Sequence, residues 1–103
     1  MSDHNTPRKI FNRILTAVCE VYEVDKKEVL AQSRLQPLPE VRRMLYMICV
    51  DNIGAAFTVR YSHKDRSNIH VGRAKMLDEI ELYADVRKKY NKVKELIDEH
   101  KTE

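Results

Sequence analysis

The sequence predicts an all-α protein: a single helical bundle of five to six helices containing a helix-turn-helix. Three observations carry this prediction. Gly and Pro are scarce, two and three respectively, so the turn-rich composition of a sandwich or barrel is missing. Leu, Ile, Val and Met recur at spacings of three and four, the period of a helix with one buried face. At 103 residues the chain has room for one core and little else.

Taken in order, residues 1–6 read as a disordered polar tail, with Thr6 capping a first helix over 7–22 that carries Pro7 at its first position. Ile10, Phe11, Ile14, Leu15, Ala17, Val18, Val21 and Tyr22 form its broad apolar stripe. Asp25, followed by Glu28 and flanked by Val24 and Val29, has the spacing of an N-terminal capping device, predicting a short helix that ends near Gln32. Ser33, Arg34, Leu35, Gln36 and Pro37 read as a loop. A third helix opens at Leu38 and Pro39, with Val41, Met44, Leu45 and Ile48 inward and Arg42 and Arg43 outward on its first turns. The stretch 51–54 is a break, where Asn52 or Gly54 can take a left-handed conformation. A short helix over 55–61 then turns Ala56, Val59 or Phe57, and Tyr61 inward. Ser62, His63 and Lys64 make a tight connection to a long helix that begins at Asp65 or Ser67 and runs to Leu82, with Ile69, Gly72 and Met76 on its buried face. A last helix, 84–100, places Val86, Tyr90, Val93 and Ile97 on one stripe and a solvated mix of charges on the other, and 101–103 is a tail.

Composition narrows the function classes. The net charge of +3 is modest, but its distribution is uneven: residues 1–25, 26–56, 57–75 and 76–103 carry −1, +2, +4 and −2. The basic block holds Arg60, Lys64, Arg66, Arg73 and Lys75 against Asp65 alone. Cys19 and Cys49 are far apart on apolar helix faces, the pattern of two buried thiols and not of a zinc or redox site. His4, His63, His70 and His100 are scattered, the two glycines are isolated from any phosphate loop, and no nucleophile elbow or zinc-protease motif occurs, so neither enzyme activity nor a catalytic, metal or small-molecule cofactor site is expected. The polar N-terminus and the absence of a long apolar run point to a cytoplasmic protein without a membrane partner.

The stretch KDRSNIHVGRAK at 64–75 carries the functional reading. A helix N-terminus rich in Arg and small polar residues holds phosphates with its backbone N–H groups and Lys side chains, while its side chains reach base edges in the major groove. Asp65, Arg66, Ser67 and Asn68 are the candidate major-groove readers, Arg34 the candidate minor-groove contact, and Arg42, Arg43, Lys64 and Lys75 the candidate phosphate contacts. The bland alternative is that Asp65 and Ser67 only cap the helix and the cations are solvated. RNA binding is a weaker alternative, because no aromatic stacking platform is apparent.

Four segments in this order and spacing resemble the carboxy-terminal DNA-binding domain of the DnaA replication initiators, which has a Trp-repressor-like helix-turn-helix: ILTAVCEVYEVDKKEVLAQSR at 14–34, RRM at 42–44, FTVRYSHKDRSNIHVGRAKM at 57–76 and VKELI at 93–97. The likeness spans about residues 10–98, within a domain drawn at 7–100. It implies a recognition helix opened by Lys64, Asp65, Arg66, Ser67 and Asn68, a minor-groove Arg at Arg34 and phosphate contacts at Arg42 and Arg43. Arg66 replaces the family's His, Asn68 a Thr and Val71 another His, so the family's target sequence is not carried over. Phe57 and Thr58 replace an Ile-Gly pair, and the approach to them is about three residues shorter than the family pattern implies. The family's AAA+ ATPase segment is missing from these residues, so ATPase activity is not implied. The resemblance thus implies a sequence-selective double-stranded DNA-binding domain with a role in DNA replication or transcription regulation. The alternative is a protein–protein interaction module that keeps the scaffold and has lost DNA, with a protein as its partner.

Overall fold

The computed structural model describes residues 6–31 and 33–101. Of the proposed tails at 1–6 and 101–103, residues 1–5 and 102–103 lie outside them, as does the expected helix end at Gln32, whereas Thr6 is an ordered N-cap and Lys101 is still helical. Five helices and no strand occur among the described residues: α1 (Pro7–Tyr22), α2 (Lys26–Leu30), α3 (Leu38–Ser62), α4 (Arg66–Leu82) and α5 (Ala84–Lys101). None of them is long and apolar enough to cross a membrane.

α1 has the bounds its caps dictate. The Thr6 hydroxyl accepts a hydrogen bond from the Lys9 N–H at 3.3 Å, Pro7 follows without cost, and Glu23 ends the helix in a left-handed conformation at φ 57°. Phe11, Ile14, Leu15, Ala17, Val18, Cys19 and Tyr22 are buried along its inner face. Asp25 caps α2 by accepting from the Lys27 N–H at 3.3 Å, and Val29 is the one residue α2 buries.

α3 is the axis of the bundle, packing against α1, α2 and α4, while α5 packs on α1 and α4. Val41, Met44, Leu45, Met47, Ile48 and Cys49 are all buried on it. Regular helix continues to Ile53, and then Gly54 takes φ 86° and ψ 165°, breaking α3 within the stretch where the sequence predicts a break. Residues 55–62 resume the helix in a new direction. Their inward face differs from the expected one: Thr58 and Ser62 are buried, Ala56 and Phe57 are exposed, and Val59 and Tyr61 are half-buried. Hydroxyls can occupy this face because each bonds a carbonyl one turn back, Thr58 Oγ1 donating to Gly54 O at 2.8 Å and Ser62 Oγ to Thr58 O at 2.6 Å.

α4 buries Ile69, Gly72 and Met76, the face read from the sequence. A Cβ on Gly72 would lie 3.1 Å from Tyr46 Cδ2 and 3.6 Å from Arg43 Cγ, so α4 seats closely against α3 and a side chain there would require the Tyr46 ring to give way by a few tenths of an ångström. α5 closes the bundle with Val86, Val93 and Ile97 buried and Tyr90 half-buried. Cys19 and Cys49 are buried free thiols.

Candidate nucleic-acid interface

The connection between residues 55–62 and α4 is three residues long, 63–65. His63 takes the left-handed conformation at φ 61° and donates its N–H to Val59 O at 3.0 Å, closing the preceding helix. The Lys64 N–H donates to the buried Ser62 hydroxyl at 3.4 Å, which fixes the turn from below. Asp65 is extended and occupies the N-cap position of α4, but its carboxylate accepts no capping hydrogen bond. Among the described residues the first N–H groups of α4 therefore lack a side-chain partner and, with the positive end of the helix dipole, suit an anion.

Lys64, Asp65, Arg66, Ser67 and Asn68 are brought together at this end of α4. Asp65, Arg66, Ser67 and Asn68 are exposed and Lys64 is half-buried. The side chains of Arg66, Ser67 and Asn68 make no hydrogen bond or ion pair among the described residues. Further along, Ser67, Val71, Ala74 and Asp78 form the centre of the face opposite Ile69, Gly72 and Met76, with Lys75 beside them, all exposed. Val71 is 68% exposed and with Ala74 makes the middle of this face apolar. The cationic character ends at Asp78. Arg73 leans away and pairs with Asp51 on α3 at 2.9 Å, an exposed pair worth little by itself.

Arg34 is exposed on the α2–α3 loop. Arg42 and Arg43, expected outward as phosphate contacts, are turned onto neighbours instead. The Arg42 guanidinium donates to Val29 O at 2.7 Å, to Glu28 O and Ala31 O at 2.9 Å each, and to Ser33 O. α2 is too short to satisfy the carbonyls at its end, and a planar five-donor fork gathers them. Arg43 donates to both carboxylate oxygens of Glu79 on α4, at 2.6 and 3.0 Å, with the two side chains 19% and 16% exposed. One turn of α3 thus grips the loop that carries Arg34 with one arginine and α4 with the next.

Arg60 was legible only as one charge in the basic block; it is exposed on the helix before the turn and has no ion-pair partner among the described residues. Burial raises the pKa of the Cys19 and Cys49 thiols, which disfavours the thiolate that nucleophilic or metal chemistry needs. Burial and a 2.5 Å hydrogen bond to Glu40 raise that of Tyr22. No group of three His, Cys, Asp or Glu side chains among the described residues is placed to hold a metal ion. No family model, curated protein or solved structure matches the chain.

Proposed function

We propose that the chain is a sequence-selective double-stranded DNA-binding domain of the kind found at the carboxy terminus of DnaA initiators. In this reading residues 55–62 and α4 act as a helix-turn-helix. The observation that carries it is the first turn of α4. Arg66, Ser67 and Asn68 stand exposed and unpartnered there beside Lys64, on a helix whose opposite face is seated on α3 through Ile69, Gly72 and Met76. A rigid helix with free polar side chains and free N–H groups at its tip is what major-groove reading requires.

Arg66 reads guanine and Asn68 adenine, with Asp65 and Ser67 completing the edge contacts. Lys64 and Lys75 hold phosphates together with the uncapped N–H groups of α4. Arg34 enters the neighbouring minor groove, from a loop that Arg42 fixes in place. Arg42 and Arg43 are positioning residues in this account, because their donors are already engaged.

A titration of labelled duplex at several salt concentrations tests the proposal. With three to four phosphates neutralised, log affinity falls against log salt with a slope of roughly −3 to −4. A flat response sinks it. The rival reading, a protein-interaction module that has lost DNA, requires no duplex retention at low salt together with a stable protein partner.

A further inference from the structure

A groove of about 550 Å³ lies between α1, the end of α2 and residues 55–62. Its chemistry is two-sided. Phe11 and Tyr61 line it, their rings 5.6 Å apart, and Leu30 forms part of its wall at 42% exposed. Phe57, 38% exposed, extends this apolar surface by stacking on Tyr61 at 6.0 Å. Arg8, Arg60 and His63 also line the groove, and among the described residues no carboxylate does. The surroundings keep that sign: α1 carries Arg8, Lys9 and Arg13 before its first acidic residue, Glu20.

Each half of this composition excludes something. A nucleic-acid backbone satisfies the cations but gives Leu30 and Phe57 nothing to bury against, while a purely apolar ligand desolvates Arg60, and Arg8 whose guanidinium lies 5.9 Å from the Tyr61 ring centroid, without supplying a carboxylate. The volume falls in the range of about 300–1,000 Å³ typical of concave binding sites, enough for a few anchoring side chains. An amphipathic helix with an apolar stripe flanked by carboxylates matches both halves.

We propose that this groove docks an acidic amphipathic segment of a partner protein. Its apolar anchors lie against Leu30 and Tyr61, over a floor formed by the buried Phe11, and its Asp or Glu side chains pair with Arg8 and Arg60. This surface shares no residue with the first turn of α4 and adds apolar side chains that the turn lacks, so the inference stands whether or not α4 reads DNA.

Selection from a displayed library of random peptides, with the full chain as bait, tests it. The expected winners combine Asp or Glu with Leu, Phe or Trp at helical spacing and bind more weakly as salt rises. Leu30→Glu, and separately Arg8→Glu with Arg60→Glu, each reduce the affinity of the winning peptide by about tenfold or more. Arg8 and Arg60 are exposed and Leu30 is 42% exposed, so the variants keep the helical circular dichroism of the parent, with only a small shift in melting from the loss of the Arg8–Tyr61 contact, and Lys88→Glu on α5 serves as a control that keeps full affinity. A random-sequence duplex added as competitor leaves the peptide bound. Failure to enrich any peptide, winners without carboxylates, or winners indifferent to the groove variants would overturn the proposal. Displacement by the duplex would overturn it too, by assigning the groove to nucleic acid.

Discussion

Arg42 and Arg43 are neighbours in the chain, yet one closes α2 and the other holds α4. Two arginines at the start of a helix look alike in sequence whether they face phosphates or carbonyls. What separates the two cases is which acceptors the fold delivers, here Ser33 and Glu79, 9 and 36 positions away. Removing the Arg42 fork leaves several carbonyls at the end of α2 short of a donor, so Arg42→Ala lowers unfolding free energy by about 2–3 kcal/mol. Urea unfolding measures this, and Arg42→Lys recovers only part of it, since an ammonium cannot span the same acceptors. Full stability in Arg42→Ala with uniformly weaker DNA binding would instead make it a phosphate contact. Arg66 behaves in the opposite way. Its side chain has no partner among the described residues and is exposed, so Arg66→Ala keeps stability within about 0.5 kcal/mol. If Arg66 reads bases as proposed, the same change costs about 1–3 kcal/mol of duplex affinity and relaxes preference at one or two base pairs. Equal loss on every sequence would reassign it to the backbone.

At the scale of elements, caps and breaks were the readable part. Thr6–Pro7, Asp25 and Gly54 act locally, through the nearest N–H groups or the residue's own dihedral angles, so the start of α1, the start of α2 and the break in α3 follow from a few adjacent residues. The inward face of 55–62 was less legible. Buried Thr58 and Ser62 break the apolar pattern that marks a core face, and only the bonds back to Gly54 O and Thr58 O reveal why they are tolerated. Gly54 sets the direction of that helix and, through the 63–65 turn, of α4. Its φ of 86° with ψ of 165° belongs to a region other residues rarely enter, although no atom lies within 4 Å of where a Cβ would sit. Gly54→Ala is therefore destabilising through the backbone alone, by about 1–3 kcal/mol. A thermal melt checks this, and an unchanged melt would mean that the two parts of α3 re-form as one helix at no cost.

For the whole molecule, the helical pattern announced the bundle, because burying apolar stripes on each of five helices leaves few alternatives in a chain this short. The pairing of elements was not legible, since Gly72 against Tyr46 and Tyr22 against Glu40 depend on long-range geometry. The core also sets a pH limit. Burial raises the pKa values of Cys19, Cys49, Tyr22 and Tyr46 above their ordinary values of 9.0 and 10.0. The unfolded chain therefore loses these protons first as pH climbs. Fewer protons on the unfolded state make stability fall with rising pH, fully present below about pH 9 and progressively lost above it. Thermal melts from neutral to alkaline pH should show this decline, and Cys49→Ala should soften its onset; a flat profile to pH 11 would contradict the assignment. None of this bears on DNA, which rests on the free tip of α4. The most direct measurement of that claim is selection of bound sequences from a random duplex pool. Sequence-selective binding through the tip of α4 predicts that one motif is enriched by the intact chain and that Arg66→Ala blurs it at one or two positions. Retention of no duplex at low salt, or retention without any enriched motif, would contradict it.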